Sequence, residues 1–136
     1  MTGFLDDGCL DGRSLRLNRV TVAPSSPAEL VLTGPCGSVI GRLRFRVCRT
    51  CRAGRIMSLW ICDTWQRQGL GRELVYFLLA QHRGYRWNTT PQSRLGRAFF
   101  AAVAQESAVS LRRGSPLCPH LMGWCRWTWR RLLHSR

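Results

Sequence analysis

The first third of the chain alternates between hydrophobic and polar residues, which is the pattern of strands that bury one face of a sheet. Residues 14–22, 29–33 and 38–47 follow this alternation. Prolines and glycines separate the three runs, at residues 24–27 and at Gly34-Pro35, and they favour turns at these points. The pattern therefore predicts three strands in an antiparallel meander.

The pattern changes further along the chain. Residues 55–62 form a more continuous apolar run, which predicts a buried strand. Beyond Gly69 the apolar residues recur every three or four positions, which predicts a helix over residues 69–83. A short strand and a second helix are predicted at residues 85–89 and 93–106. The fold class is therefore predicted as α/β, of the α+β type, with helices flanking a central mixed, mostly antiparallel sheet.

The segment between the apolar strand and the first predicted helix is Gln66-Arg67-Gln68-Gly69-Leu70-Gly71. Glycines at a helix start let the backbone approach a ligand closely, and the unpaired N–H groups of the first turn favour an anion. The segment lacks the third glycine of a dinucleotide fingerprint and the Gly-Lys-Ser/Thr of a P-loop. It is therefore either another kind of phosphate-binding loop or a simple tight turn.

The spacing Gln66-x-x-Gly69-x-Gly71 resembles the Q/R-x-x-G-x-G/A signature of the GNAT (Gcn5-related N-acetyltransferase) family. As in that family, the motif lies between an apolar strand and an amphipathic helix. The resemblance implies an acyl-CoA N-acyltransferase-like fold. It also implies an enzyme that transfers an acetyl group from acetyl-CoA, its co-substrate, to an amine acceptor by direct attack.

The resemblance extends on both sides of the motif and covers residues 38–107. Residues 59–65 are similar to the family's fourth strand and the entry to its loop. Downstream, Ser93-x-x-Gly96-x-x-x-Phe100 resembles the N-x-x-A-x-x-x-Y stretch on the family's last main helix. The acceptor amine is not identified by any of these residues.

The resemblance also implies which residues bind acetyl-CoA. Backbone groups at the end of the strand align the pantetheine arm, and N–H groups of the loop hold the pyrophosphate, with arginine side chains near the outer phosphates. The cofactor-binding residues so implied are Ile61, Cys62, Asp63, Gln66, Arg67, Gln68, Gly69, Leu70, Gly71, Arg72 and Ser93. The strand offers Ser58 and no carboxylate as a general base, so no catalytic residue is assigned.

Three departures from the family pattern bear on activity. Phe100 stands where many members have a tyrosine that protonates the departing thiolate, and a phenyl ring cannot donate a proton. Ser93 stands where asparagine is common. Only about 37 residues precede residue 38, too few for the family's usual first strand, two helices and second strand. A degenerate GNAT domain that only binds acyl-CoA is therefore an alternative.

Charge adds a hypothesis of a different class. The chain has 21 basic residues, all arginine, against seven acids, a net charge of +14, and such a surface attracts polyanions. A basic nucleic-acid-binding module without enzyme activity would explain the charge but not the glycine loop, so it is not favoured. Near the C-terminus tryptophans alternate with arginines, and we interpret them as packing residues, Trp124, Trp127 and Trp129. The predicted organisation is a loose acidic N-terminus, a GNAT-like domain and an Arg/Trp-rich segment, residues 1–13, 14–107 and 108–136.

The seven cysteines are an odd number, and no secretory leader pattern opens the chain. Together these features predict free thiols and a cytoplasmic location. No apolar stretch approaches the roughly 18–20 residues of a membrane span. Cys48 and Cys51 form one C-x-x-C pair that Cys118, His120 and Cys125 could complete as a zinc site. Because no second regularly spaced pair is present, we predict that no metal is bound.

Overall fold

The computed structural model describes residues 2–4, 15–21 and 27–121. The strands are β1 (Thr2–Phe4), β2 (Arg16–Val20), β3 (Ala28–Thr33), β4 (Val39–Cys48), β5 (Ala53–Ile61) and β6 (Arg86–Thr89). The helices are α1 (Leu70–Gln81) and α2 (Arg94–Ser107), with short 3-10 turns at Asp63–Trp65 and Pro119–Leu121. All six strands form one sheet in chain order, antiparallel except for the parallel pair β5–β6. The predicted mixed, mostly antiparallel sheet with flanking helices is confirmed.

The N-terminal part of the chain differs from the prediction. Residues 2–4, predicted as part of a loose terminus, pair with β2 as an edge strand. The rest of the predicted terminus and the segment 122–136, with its tryptophans, lie outside the described residues. Upstream of β4 the described residues contain strands and no helix. Nor does any helix in the described ranges have the length and apolar character needed to cross a membrane.

The hydrophobic core lies between one face of the sheet and the two helices. Alternation on β4 buries Leu43 and Phe45 and exposes Arg42 and Arg44, as expected for a strand with one face against a core. Residues with less than 2% exposure come from the sheet and from both helices, and include Leu30, Leu32, Leu43, Phe45, Ile56, Leu74, Val75, Leu78 and Val103. Burying each such side chain contributes roughly 1.5–3 kcal/mol.

α1 ends at Gln81, two residues before the predicted end at residue 83, and the buried His82 follows it. The ring of His82 packs edge-on against Phe45, Tyr85 and Trp87. Its Nδ1 atom donates to the carbonyl oxygen of Leu78 at 3.0 Å, which satisfies one of the last carbonyl groups of the helix. Burial lowers the pKa of His82, so the ring is neutral in the folded protein near pH 7.

Gly54, on β5, is required by a close contact with β6. A Cβ atom at this position would overlap ring carbons of Trp87. We expect Gly54→Ala to lower the free energy of unfolding by about 1–3 kcal/mol, because the buried ring has to shift. Gly71→Ala is the matched control, since its Cβ would meet its nearest neighbour at an ordinary 3.4 Å. Equal stability of the two variants in urea unfolding would contradict this account of Gly54.

Candidate cofactor-binding site

The parallel strands β5 and β6 separate halfway along β5. They pair from Ala53 opposite Arg86 to Ile56 opposite Thr89. Thr90 then closes the pair, since its amide donates to the Ile56 carbonyl at 3.0 Å and its hydroxyl to the Met57 carbonyl at 2.7 Å. β6 ends there, whereas β5 continues to Ile61. Within the described ranges no strand pairs with the second half of β5 on this side, and this edge faces a wedge-shaped opening.

A β-bulge in β5 lies at the start of this opening. The register with β4 pairs Arg44 with Ser58 but Phe45 with Ile56, which leaves Met57 as an extra residue. Beyond the bulge, the amide of Cys62 donates to the Ile40 carbonyl of β4 at 2.7 Å. Backbone groups alternate in direction along a strand.

This alternation identifies the residues of β5 that face the opening. The Cys62 amide points towards β4. The amide and carbonyl groups of Leu59 and Ile61 therefore point away from β4 and towards the opening. The contact of the Ile61 carbonyl with the Gln66 side chain agrees with this direction. Leu59 therefore presents an N–H group to the opening.

The opening continues into a cleft of about 1000 Å³ between the sheet edge and both helices. This volume is at the upper end of the roughly 300–1,000 Å³ found for ligand pockets. Its walls come from β5, the glycine loop, the first turn of α1, the segment after β6 and the start of α2; they include Met57, Leu59, Arg67, Gly71, Thr90, Gln92, Leu95 and Phe99. The walls are mainly apolar, with the two arginines Arg67 and Arg72 near the loop.

The glycine loop is held in shape by Gln66. Its Nε2 atom donates to the Ile61 carbonyl at 3.0 Å and to the Asp63 carboxylate at 3.1 Å. The backbone then adopts left-handed conformations at Arg67 (φ 63°) and Gly69 (φ 78°), and at the second of these glycine avoids the strain of a side chain. These contacts link the end of β5 to the start of the helix.

The N-terminus of α1 opens onto the cleft. Leu70 and Gly71, the first residues of α1, both line it. The N-cap residue, Gly69, has no side chain to cap this helix end, and the first N–H groups of an α-helix have no partner within the helix. Together with the positive end of the helix dipole they favour an anion at this place.

The structure brings most of the predicted cofactor-binding residues to this one cleft. Eight of the eleven line it: Ile61, Gln66, Arg67, Gly69, Leu70, Gly71, Arg72 and Ser93. Cys62, Asp63 and Gln68 do not. The Cys62 amide is used by β4, and the Asp63 carboxylate holds Gln66. Of this strand end, Leu59 and Ile61 therefore face the cleft with their backbone groups, whereas the Cys62 amide does not.

Two predicted residues have additional structural roles. The Ser93 hydroxyl accepts from the Gly96 amide at 3.1 Å and caps α2. The Arg72 guanidinium lies 3.5 Å from Glu106 of α2, on an exposed surface, and the Tyr76 hydroxyl donates to the same carboxylate. This hydrogen bond raises the pKa of Tyr76. Arg72 thus joins the two helices that flank the cleft.

A second group of reactive side chains lies away from the cleft. The thiols of Cys48, Cys51 and Cys118 and the ring of His120 converge, with ligand atoms all within 4.8 Å of one another. The Cys51 amide donates to the Cys48 sulfur, and this contact is the main cause that lowers the pKa of Cys48 to about 7. The pKa of Cys51 is raised because its thiol hydrogen-bonds to Cys48. We predicted that no metal is bound because the sequence lacks a second regularly spaced ligand pair. In the structure, Cys118 and His120 lie beside Cys48 and Cys51 and form such a second pair.

No protein-family model matches this sequence, and no curated protein is significantly similar to it. Its structure is similar to that of a Deinococcus radiodurans R1 protein described as an acetyltransferase, with a TM-score of 0.56 and 16% identity over 78% of this chain and 89% of that one. Two other similar structures are diaminobutyrate acetyltransferase EctA from Paenibacillus lautus, solved with coenzyme A, and Tetrahymena GCN5.

The TM-score is 0.52 for EctA, at 16% identity over 59% of this chain and 51% of that one. For GCN5 it is 0.51, at 18% identity over 57% and 49%. The aligned part thus spans about half the length of these two proteins. The chain has the GNAT acetyltransferase fold.

Proposed function

We propose that this protein binds acetyl-CoA in the cleft between β5 and β6 and transfers the acetyl group to an amine. The observation that carries the proposal is the junction of two features. A splayed pair of parallel strands turns backbone groups of β5 towards the cleft, and the N-terminus of α1, which begins after Gly69, opens onto the same cleft. The EctA structure, which contains coenzyme A, supports a cofactor of this class.

The two features suit the two chemical halves of the cofactor. The pyrophosphate is a double anion, and the N–H groups of the first turn of α1 together with Arg67 form an anion site. The pantetheine arm contains two amide groups, which can pair with the N–H and C=O groups of Leu59 and the N–H group of Ile61 as an added strand would. The Ile61 carbonyl already accepts from Gln66. The thioester then lies near the Met57 bulge.

Transfer in this arrangement needs no covalent enzyme intermediate. The neutral amine nitrogen attacks the thioester carbonyl carbon, and the C–S bond breaks with its electron pair leaving on the CoA sulfur. The proton lost by the amine passes through solvent to this thiolate, which gives the amide and free CoA thiol. The Leu59 N–H group faces the cleft and would stabilise the negative charge that develops on the carbonyl oxygen. Holding the two reactants together in the cleft supplies much of the rate enhancement.

The described walls of the cleft offer few side chains that could transfer a proton. Within residues 2–4, 15–21 and 27–121, no Asp, Glu, His, Cys or Tyr side chain lines the cleft. Phe100 contributes a phenyl ring to the wall, with 8% of its surface exposed. A general acid or base typically contributes roughly 10²–10⁴-fold to a rate. This observation favours a second candidate function, the binding of acyl-CoA without transfer.

Calorimetry with acetyl-CoA tests the binding step, and release of free CoA thiol in the presence of a panel of small amines and peptide N-termini tests transfer. Binding with amine-dependent thiol release is the expected result. Binding without release would support the acyl-CoA-binding function instead. Absence of binding to a folded protein would contradict both. Duplex DNA at two salt concentrations is the comparison ligand, because affinity based on phosphate neutralisation falls steeply with salt.

Gln66→Ala tests the role of the loop shape. The substitution removes two hydrogen bonds at the junction of β5 and the loop. We expect a loss of about 1 kcal/mol in unfolding free energy and, because the loop is less ordered before binding, about tenfold weaker acetyl-CoA binding. Gln81→Ala, at an exposed position in the last turn of α1, is the control and should bind like the parent. Unchanged affinity of Gln66→Ala would argue against a preformed loop.

A further inference from the structure

Four potential metal ligands converge from two distant parts of the chain. Cys48 ends β4, and Cys51 lies in the turn that leads into β5. Cys118 and His120 lie at the short turn Pro119–Leu121, about seventy residues later. Cys48 and Cys118 are buried, Cys51 is half-buried and His120 is exposed. A chance surface grouping would not combine two buried thiols with two solvent-accessible ligands around a single point.

Two of the six distances between the ligand atoms match the N–S edges of a zinc tetrahedron. His120 Nδ1 lies 3.4 Å from the Cys48 sulfur and 3.6 Å from the Cys51 sulfur. With Zn–S bonds of about 2.3 Å and Zn–N bonds of about 2.0–2.1 Å, tetrahedral angles place N and S about 3.6 Å apart. These two separations are therefore those expected of zinc ligands, and all four ligand atoms lie within 4.8 Å of one another.

We propose that Cys48, Cys51, Cys118 and His120 bind one zinc ion in a closed structural site. Three thiolates and one imidazole form a ligand set typical of structural zinc. The imidazole, and the absence of a fourth cysteine among the described residues of the cluster, favour zinc over an iron–sulfur cluster. The bound ion with three thiolates carries a net charge of −1, which the flanking Arg49 and Arg52 offset.

The surroundings of the cluster have features that support metal ligands. The Cys51 amide donates to the Cys48 sulfur at 3.4 Å, and such outer hydrogen bonds stabilise and orient ligating thiolates. Arg52, directly after the second cysteine, has a left-handed backbone (φ 49°). This conformation turns the chain from the C-x-x-C segment into β5.

The ion would stabilise the packing of the segment formed by residues 114–121. Among the described residues, the local apolar cluster consists of Cys48, Ala53, Cys118 and Leu121, with Cys51 and Leu117 packed against it. The start of this segment is held to β5 by polar contacts, such as the 2.5 Å hydrogen bond that the Arg55 guanidinium donates to the Gly114 carbonyl. The zinc site would fix its end against the β4–β5 turn.

A catalytic role for this ion is excluded by its geometry. Four protein ligands leave no open position for a substrate or water. The cluster also lies beside Ala53 at the start of β5, whereas the cofactor cleft lies beyond the bulge in the same strand. The zinc proposal is therefore independent of the proposed acetyl transfer.

Elemental analysis of the full chain, purified under reducing conditions without added zinc, is the primary test. We expect about one zinc per chain, and its loss in Cys51→Ser and in His120→Ala. Cys36→Ser is the matched control, because Cys36 is exposed and outside the cluster, and it should retain the metal. Metal-free parent protein, or full zinc content in both ligand variants, would overturn the proposal.

Cobalt titration decides the question if the variants fail to fold. The parent protein, stripped with a chelator under reducing conditions, is titrated with Co²⁺. Strong visible absorption of tetrahedral thiolate-bound cobalt, abolished by zinc, is the expected result. The weak spectrum of octahedral cobalt would contradict the proposal, as would a Cys48–Cys51 disulfide that mass spectrometry finds in freshly prepared protein. The chelator should also lower the unfolding temperature, and zinc should restore it.

Discussion

Replacing Gly71 with glutamate should weaken acetyl-CoA binding by at least about a hundredfold, which corresponds to about 2.7 kcal/mol. A Cβ at this position points between β5 and α2, 3.4 Å from Leu59 and 3.5 Å from Phe99. The carboxylate would therefore enter the cleft beside the anion site of α1. It adds a like charge to the phosphates, which costs several kcal/mol at an interface, and it occupies space that the pantetheine needs.

The same substitution should leave the fold intact, so that calorimetry reports binding alone. The 3.4 Å contact is an ordinary van der Waals distance, and an acidic residue in the first turn of a helix is stabilising by roughly 0.3–1 kcal/mol. Gln81→Glu is the matched control, since it adds the same charge about 15 Å away along the helix. Parent-like affinity in a folded Gly71→Glu protein would show that the cofactor does not bind at this helix start.

Phe45→Ala should lower the free energy of unfolding by about 3–5 kcal/mol, a large part of the 5–15 kcal/mol typical of a whole domain. Phe45 is fully buried on β4. The Arg19 guanidinium lies 5.4 Å from its ring centroid, and the His82 ring packs edge-on at 6.0 Å. Truncation would leave a cavity that neither the sheet nor α1 can close.

Chemical denaturation followed by tryptophan fluorescence and circular dichroism measures this loss. Leu95→Ala is the control, because 86% of the Leu95 surface is exposed and alanine favours a helix. It should change the unfolding free energy by less than about 0.5 kcal/mol. A cost below about 1 kcal/mol for Phe45→Ala would mean that the core is loosely packed around β4.

The elements of the fold could be predicted from the sequence because they depend on local periodicity. The apolar positions of α1, such as Leu70, Leu74 and Leu78, recur at helical spacing, and all three are buried. The alternation in β4 likewise predicted a strand with one buried face, and Leu43 and Phe45 lie on it. The resemblance of the glycine loop to the GNAT signature added the topology, which periodicity alone does not determine.

The details of the two sites could not be predicted in this way, because they depend on contacts across the chain. The bulge at Met57 is a property of the register between β4 and β5, and no residue type in β5 indicates its position. Because the extra residue reverses the alternation beyond it, the backbone groups of Leu59, and not the amide of Cys62, face the cleft. The approach of Cys118 and His120 to Cys48 likewise requires the whole path from α2 back to the β4–β5 turn.

The order of the strands in the sheet has a consequence for the synthesis of the protein. From β2 to β5 each strand pairs with the strand made just before it, so these hairpins need only short loops to close and can form as the chain leaves the ribosome. β6 can join only after α1 has crossed over to place it parallel to β5. Because the cleft lies at this last junction, it can form only after β6 has joined the sheet.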